Sequence, residues 1–146
     1  MLTGQPSRTA HRVAVRRAAH QIWDHPRVFE DPVALRIIGP DEAAAISPAK
    51  PEETTFERHL RAFVVVRSRY AEEQLAEAVA RGVRQYVVLG AGLDTFAYRN
   101  PFPDLKVFEV DHPATQAWKR RLLEAVAIPV PASLTFVAVD FAAVTI

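Results

Sequence analysis

The sequence predicts an α/β protein in which a helical N-terminal segment is followed by the first strands of a doubly wound parallel β-sheet. Three observations support this prediction. Up to about residue 80, apolar residues recur with the period of a helix. Beyond that point, short apolar runs alternate with longer segments, the order typical of a parallel sheet. The first of these runs, "VVLGAG", ends in glycines, as the first strand of such sheets commonly does.

The N-terminal segment is predicted to contain three helices. The first is amphipathic and ends before Pro26, which cannot continue it. The last is long and is followed by Gly82, a residue type that terminates helices in a left-handed conformation. The predicted elements are a helix over Thr9–Asp24, a short helix from Pro32 to the Gly39-Pro40 pair, a polar loop over Ser47–Thr54 and a helix over Thr55–Ala80.

Three strands are predicted after residue 82. The first, Tyr86–Leu89, is apolar throughout, which is typical of a strand buried on both faces. We expect helices in both connections, giving the order strand, helix, strand, helix, strand. The remaining predicted elements are strands within 105–110 and 133–141 and a helix over 113–127 that begins with Pro113.

The composition argues against several classes of function. With 18 basic and 17 acidic residues the net charge is +1, so no basic field favours nucleic acid. The absence of cysteine excludes disulfides, thiolate metal sites and a cysteine nucleophile. No uncharged run reaches the ~18 residues of a membrane helix, and the charged N-terminus does not read as a signal peptide. We expect a cytoplasmic protein without nucleic-acid, membrane or metal partners.

The strand ends carry the candidate binding residues, because ligands of doubly wound sheets bind at the carboxyl ends of the strands. Gly90 and Gly92 follow the first strand and would let a ligand approach the backbone, although a plain tight turn also needs glycine. Glu109 and Asp111 end the second strand about 20 residues later, where a carboxylate can accept both ribose hydroxyls. Asp111, at the very end of the strand, has the better reach.

Asp140 and Phe141 end the third strand. A carboxylate can accept a hydrogen bond from an exocyclic amine, and an aromatic ring can lie against a purine, so this pair suits adenine. Capping a following helix is the alternative role for Asp140. Together the three strand ends predict an adenosine-binding rim.

Residues 94 and 95 indicate which adenosine cofactor fits. A dinucleotide site prefers glycine where this sequence has Thr95, and Asp94 would repel a pyrophosphate. A carboxylate there suits an ammonium or a sulfonium, which favours S-adenosyl-L-methionine over NAD. The carboxylate of that cofactor needs a cation, and Arg67 in the long helix is the candidate unless it extends to water. Arg69 projects to another side of the helix.

These residues occur in motifs that resemble the leucine carboxyl methyltransferase-like family of S-adenosyl-L-methionine-dependent methyltransferases, in particular its bacterial branch. The motifs are "VVLGAGLDTFAYR", "VFEVDHP" and "FVAVDF", preceded by "SRTA", "RRAAH" and "FEDPVA". The resemblance implies the N-terminal part of a Rossmann-like methyltransferase fold. Residues 1–82 would form the helical segment that caps the site, and residues 83–146 the first half of a cofactor-binding domain.

The resemblance also implies a role for each candidate residue. The implied contacts are the cofactor carboxylate at Arg67, its methionine backbone at Gly90, the ribose at Asp111 and the adenine at Asp140 with Phe141. A basic residue of the first helix, either Arg16 or Arg17, is expected to assist. The implied reaction is O-methyl transfer to a carboxylate or a hydroxyl of an unknown acceptor, and no residue is predicted as catalytic.

Members of this family are much longer, so we expect a truncated or partial chain that is inactive in methyl transfer by itself. Its first strand would then be an open sheet edge, available for self-association. Two alternative functions stay open at this point. One is an NAD-binding half-domain of an oxidoreductase, and the other is a non-enzymatic remnant or interaction module.

Overall fold

The computed structural model describes residues 7–46, 48–49 and 51–143. The helices are α1 (Arg8–Trp23), α2 (Ala34–Ile37), α3 (Pro40–Ala45), α4 (Thr55–Ala80) and α5 (Pro113–Ala125), and the strands are β1 (Gln85–Leu89), β2 (Lys106–Asp111) and β3 (Leu134–Ala138). The α/β class and the helical segment ahead of a parallel sheet are therefore confirmed. Ser47 and Lys50 of the predicted loop, and the outer ends of the predicted segments, 1–6 and 144–146, lie outside the described residues.

Side chains at their first turns fix where the two long helices begin. The Ser7 hydroxyl accepts a hydrogen bond from the Ala10 N–H at the start of α1. At the start of α4, Thr54 and Glu57 form a reciprocal capping box. Its hydrogen bonds lower the pKa of Glu57. Helix α4 ends just before Gly82, whose φ of 102° is the left-handed conformation expected there.

The segment between α1 and α4 differs from the prediction in two places. Helix α2 begins at Ala34 rather than Pro32, because the Asp31 carboxylate accepts from the Val33 N–H and holds a turn there. Pro40 begins α3 instead of ending the preceding helix. Gly39 turns the chain with a φ of 90°, which places Pro40 at the first helical position, where no N–H is needed.

The connection from β1 to β2 contains no α-helix, so the predicted helix there is wrong. It holds a single 3₁₀ turn, Phe96–Tyr98. Prolines at 101 and 103 remove the N–H groups that a longer helix would use. The Asn100 side chain accepts from the Phe102 N–H and turns the chain back toward β2.

The sheet is parallel with the order β1-β2-β3, which puts β1 at an edge. Within the described residues β1 pairs only with β2. The prediction that β1 is buried on both faces is wrong: Val87 is 53 % and Leu89 69 % exposed, whereas the alternating Tyr86 and Val88 pack on the core. An apolar run therefore marked the strand correctly without indicating what covers its second face.

The core draws on both predicted segments. One cluster joins Ala18 of α1 and Ile37 of α2 to Leu123 of α5, and a second joins Leu75 of α4 to Val107 of β2. The division at residues 82 and 83 stays a prediction, since the two parts share their apolar contacts. In the described part of the chain, no helix is long and apolar enough to cross a membrane.

We predict that Gly92→Ala destabilises the fold more than Gly90→Ala. Both glycines have positive φ, 52° and 64°, so alanine costs roughly 1–2 kcal/mol of unfolding free energy at either position. A Cβ on Gly92 would also lie 2.8 Å from the Ala10 Cβ, whereas one on Gly90 meets nothing within 4 Å. That overlap adds roughly 1–3 kcal/mol. Urea unfolding without ligand measures the difference, and equal losses would contradict close packing of α1 on this turn.

Candidate functional site

The carboxyl ends of the three strands open onto a cavity of about 870 Å³ that α1 and α4 also line. All seven residues predicted from the sequence to bind a cofactor lie on it: Arg67, Gly90, Gly92, Asp94, Asp111, Asp140 and Phe141. The predicted site required all seven residues to line one cavity, and they do. The role of each residue stays a prediction. The sequence predicted a basic residue of the first helix at the site, but it did not indicate Thr9, Ala10 and Val13 of α1, which also line the cavity.

The turn after β1 is held tightly against the end of β2. The Gly90 N–H donates to the Val110 carbonyl at 2.8 Å, and the Gly92 N–H donates to the Asp111 carboxylate at 2.5 Å. The Asp94 N–H closes the turn on the Ala91 carbonyl at 2.8 Å. Because the space beside the Gly90 Cα is open, a ligand can lie directly on this backbone.

Asp111 is fixed in place by two backbone N–H groups. One oxygen accepts from Gly92 and the other accepts from His112 at 2.6 Å. Each carboxylate oxygen has a further lone pair, so the group can still accept from a diol in the cavity. Glu109 is not among the residues that line the cavity; it is 1 % exposed and forms an ion pair with Lys119. The expectation that Asp111 has the better reach agrees with this geometry.

Two arginines line the cavity in different states. Arg17 is buried, donates to the Leu93 carbonyl at 2.5 Å and lies 3.0 Å from the Asp31 carboxylate. Arg67 is exposed on α4 and has no ion pair among the described residues. Arg67 is therefore the lining arginine whose charge is free for an anionic ligand. Of the two candidates on α1, Arg17 lines the cavity, whereas Arg16 bonds the Arg12 carbonyl.

At the far end of the cavity, Asp140 and Phe141 are joined by His112, whose place in the site the sequence did not indicate. One Asp140 oxygen accepts from the Ala142 N–H within a turn, and the other lies 3.8 Å from His112 Nε2. His112 Nδ1 accepts from the Ala114 N–H and caps α5, which assigns the ring proton to Nε2. Phe141 is half-exposed and offers an open ring face.

A buried charge network supports the glycine turn from behind. The Asp31 carboxylate accepts from the Thr95 hydroxyl at 2.5 Å and lies 3.3 Å from Arg99. Arg99 forms a bidentate pair with Glu72 of α4. Asp31 belongs to the "FEDP" motif, so the sequence marked this segment, but nothing in it identified the partner Thr95.

A second buried charge cluster ties α1 to α4 away from the cavity. Arg61 is 2 % exposed and donates to the carboxylates of Asp24 and Glu53. His20 is also buried, with Nδ1 2.8 Å from the same Asp24 carboxylate. Across the described ranges, no three metal-ligating side chains gather into a candidate metal site.

Comparison with known proteins identifies relatives across the chain. The sequence profile of a family described as leucine carboxyl methyltransferase matches residues 10–145. A Bacillus subtilis protein provisionally named S-adenosyl-L-methionine-dependent methyltransferase YktD is 35 % identical over 97 % of this chain and 54 % of its own length. Similarly named proteins of Mycobacterium bovis and Mycobacteroides abscessus are 37 % and 36 % identical over 84 % and 90 % of this chain, and 43 % and 44 % of their own lengths. The chain thus spans about half the length of the curated relatives it matches.

We predict that Arg61 and Arg67, both on α4, contribute differently to the stability of the fold. Arg61→Met removes the buried cation that pairs with both Asp24 and Glu53 and should lower the unfolding free energy by roughly 3 kcal/mol. Arg67→Met removes an exposed charge and should stay within about 0.5 kcal/mol of the wild type. Urea unfolding compares the two variants. A large loss for Arg67→Met would show that Arg67 serves the fold rather than a ligand.

Proposed function

This chain belongs to the leucine carboxyl methyltransferase family, and from that premise we propose that it binds S-adenosyl-L-methionine in the cavity at the carboxyl ends of its strands. The observation that carries the proposal is the charge pattern of this cavity. Three carboxylates, Asp94, Asp111 and Asp140, line the same space beside Gly90 as Arg67, which forms no ion pair with any residue that the structure describes. The ligand to be matched carries a sulfonium, an ammonium and a carboxylate on an adenosine.

In the proposed pose the adenosine spans the ends of β2 and β3. Asp111 accepts from the ribose hydroxyls, since its two oxygens are already oriented by backbone N–H groups. Asp140 accepts from the adenine amine, and Phe141 lies against the purine ring. The Nε2–H of His112, beside Asp140, is placed to donate to a ring nitrogen.

The methionine end then lies over the glycine turn. Arg67 binds the carboxylate, for which a guanidinium offers two parallel donors. Asp94 provides the negative charge beside the ammonium and the sulfonium. The same carboxylate disfavours NAD, because it would repel a pyrophosphate at the position where a dinucleotide site uses glycine. The family membership also does not favour the oxidoreductase or remnant alternatives.

We propose that the reaction is methyl transfer to an oxygen, with a carboxylate as the preferred acceptor. The acceptor oxygen forms a bond to the methyl carbon as the carbon–sulfur bond breaks, and S-adenosyl-L-homocysteine leaves with the electron pair. Such a displacement depends mainly on alignment. A carboxylate is already ionised at neutral pH, whereas a hydroxyl would need a general base. The imidazole that lines the cavity, His112, lies at the adenine end of the pose rather than near the methyl group.

We propose that cofactor binding and methyl transfer have different requirements. In the proposed pose the described residues contact the whole cofactor, and we therefore expect the chain to bind it. Because the relatives are about twice as long as the part they share with this chain, we propose that methyl transfer requires acceptor contacts from further segments. The cysteine-free composition fits a cytoplasmic setting within this proposal.

Isothermal titration of the purified chain with S-adenosyl-L-methionine, and separately with NAD, tests the proposed function. We expect saturable binding of S-adenosyl-L-methionine and none of NAD. Binding of NAD alone would overturn the choice of cofactor, and binding of neither would overturn the proposed site.

We predict that Arg67→Met lowers the affinity for S-adenosyl-L-methionine by roughly tenfold or more, because a hydrogen-bonded ion pair to the ligand carboxylate is lost. The affinity for adenosine, which has no carboxylate, should not change. Arg69→Met is the matched control on the same helix, since Arg69 pairs with Glu73 instead of lining the cavity. Equal losses of affinity for both ligands would show that Arg67 does not bind the carboxylate of S-adenosyl-L-methionine.

We predict that Asp111→Asn lowers the affinities for adenosine and for S-adenosyl-L-methionine by the same factor, roughly tenfold or more, because both ligands contain the ribose diol. Asp104→Asn, an exposed carboxylate in the loop before β2, is the control and should leave both affinities unchanged. Titration calorimetry with the two ligands gives the ratio. An adenosine affinity insensitive to Asp111→Asn would remove Asp111 from the ribose contact.

A further inference from the structure

Directly beneath the glycine turn lies a buried ion pair that the proposed binding site does not use. Lys119 of α5 and Glu109 of β2 are each 1 % exposed, and Lys119 Nζ lies 2.6 Å from Glu109 Oε2. Neither residue is among those that line the cavity. Transferring two charges from water into a protein interior is costly, and an apolar pair of similar volume would often serve stability as well.

The second contact of Lys119 connects this ion pair to the site. Its ammonium donates to the backbone carbonyl of Asp94 at 2.7 Å, so one cation links α5, β2 and the turn after β1. The Asp94 side chain is oriented in turn, because one of its oxygens accepts from the Phe96 N–H at 2.9 Å. The other carboxylate oxygen is left to meet a cation in the cavity that Asp94 lines.

Lys119 is enclosed by buried groups on the side of Tyr98 and Glu109. The Tyr98 ring lies 5.2 Å from the ammonium, and the buried Tyr98 hydroxyl is far from water. Burial raises the pKa of Tyr98 and that of Glu109, although the Lys119 ammonium counteracts the shift at Glu109. In such a medium a charge-assisted hydrogen bond to a carbonyl is stronger than in water.

The two ends of the turn are thus held by different groups. The Gly92 end is fixed by the Asp111 carboxylate, whereas the Asp94 end is fixed by Lys119. Loss of the Lys119 contact should therefore loosen the part of the turn that faces the methionine end and leave the ribose contact in place.

Resting on the proposed function, we propose that Lys119, oriented by Glu109, is a positioning residue for cofactor binding: it fixes the Asp94 carboxylate toward the ammonium and sulfonium of S-adenosyl-L-methionine without touching the ligand. This role predicts a selective effect on affinity. Loss of the Lys119 contact should weaken the binding of ligands that carry the amino-acid tail and leave the binding of adenosine unchanged, whereas a general loss of structure would weaken the binding of all of them.

The test is the double variant Lys119→Met with Glu109→Gln, which removes both buried charges at nearly constant volume. Calorimetry should give about tenfold weaker binding of S-adenosyl-L-methionine and S-adenosyl-L-homocysteine, with adenosine within about twofold of the wild type. Arg121→Met, an exposed charge removal on the same helix, is the control and should change none of the three.

Unchanged S-adenosyl-L-homocysteine affinity in the double variant, or an equal loss for adenosine, overturns the positioning role alone. Failure of the wild-type chain to bind S-adenosyl-L-homocysteine overturns the proposed function, and the positioning role with it. If the double variant does not fold, Lys119→Arg replaces it, since the cation beside Glu109 is kept. The same selective loss is expected, because a guanidinium cannot occupy the ammonium position between Glu109 and the Asp94 carbonyl.

Discussion

The contact between helix α1 and the glycine turn is the constraint on which the site depends. The backbone of Gly92 lies so close to Ala10 that a single added methyl group would overlap it. This approach brings the first turn of α1 to the carboxyl ends of the strands and leaves a cavity between them instead of a second layer of core. A residue with a side chain would push the helix away, and Arg17 would then lose its contact with the Leu93 carbonyl. The glycine is thus required by packing between elements as well as by its own φ.

Buried charged groups lie on two sides of this turn. On one side Asp31 joins Arg17, Thr95 and Arg99, and on the other Lys119 contacts the Asp94 carbonyl. Such groups stabilise a protein little compared with apolar packing, but each has directional hydrogen bonds and so specifies one backbone conformation. The turn is held in shape by these networks while its cavity-facing groups stay available. A preorganised turn loses little conformational freedom when a ligand binds, which favours affinity.

The sequence predicted those features that depend on local chemistry. Proline at 113 marks a helix start, and acids at strand ends mark a rim, because each signal lies within a few residues of its effect. Prediction from the sequence failed where contacts between residues far apart in the chain determine the structure. The outer face of Val87 is exposed because β1 lies at the edge of the described sheet, which the apolar run could not indicate. The positions of Thr9, Ala10 and Val13 on the cavity and the contact of Lys119 with the Asp94 carbonyl likewise follow from tertiary contacts alone. The missing helix between β1 and β2 is a different case, since the local prolines at 101 and 103 account for it.

The most direct measurement of the central claim is a crystal structure of this chain with S-adenosyl-L-homocysteine. We predict that the ribose hydroxyls contact Asp111, that the adenine lies beside Phe141 and that the ligand carboxylate lies within hydrogen-bond distance of Arg67, all in the cavity next to Gly90. A ligand bound outside this cavity, or bound in the reverse direction with its carboxylate at Asp140, would contradict this claim.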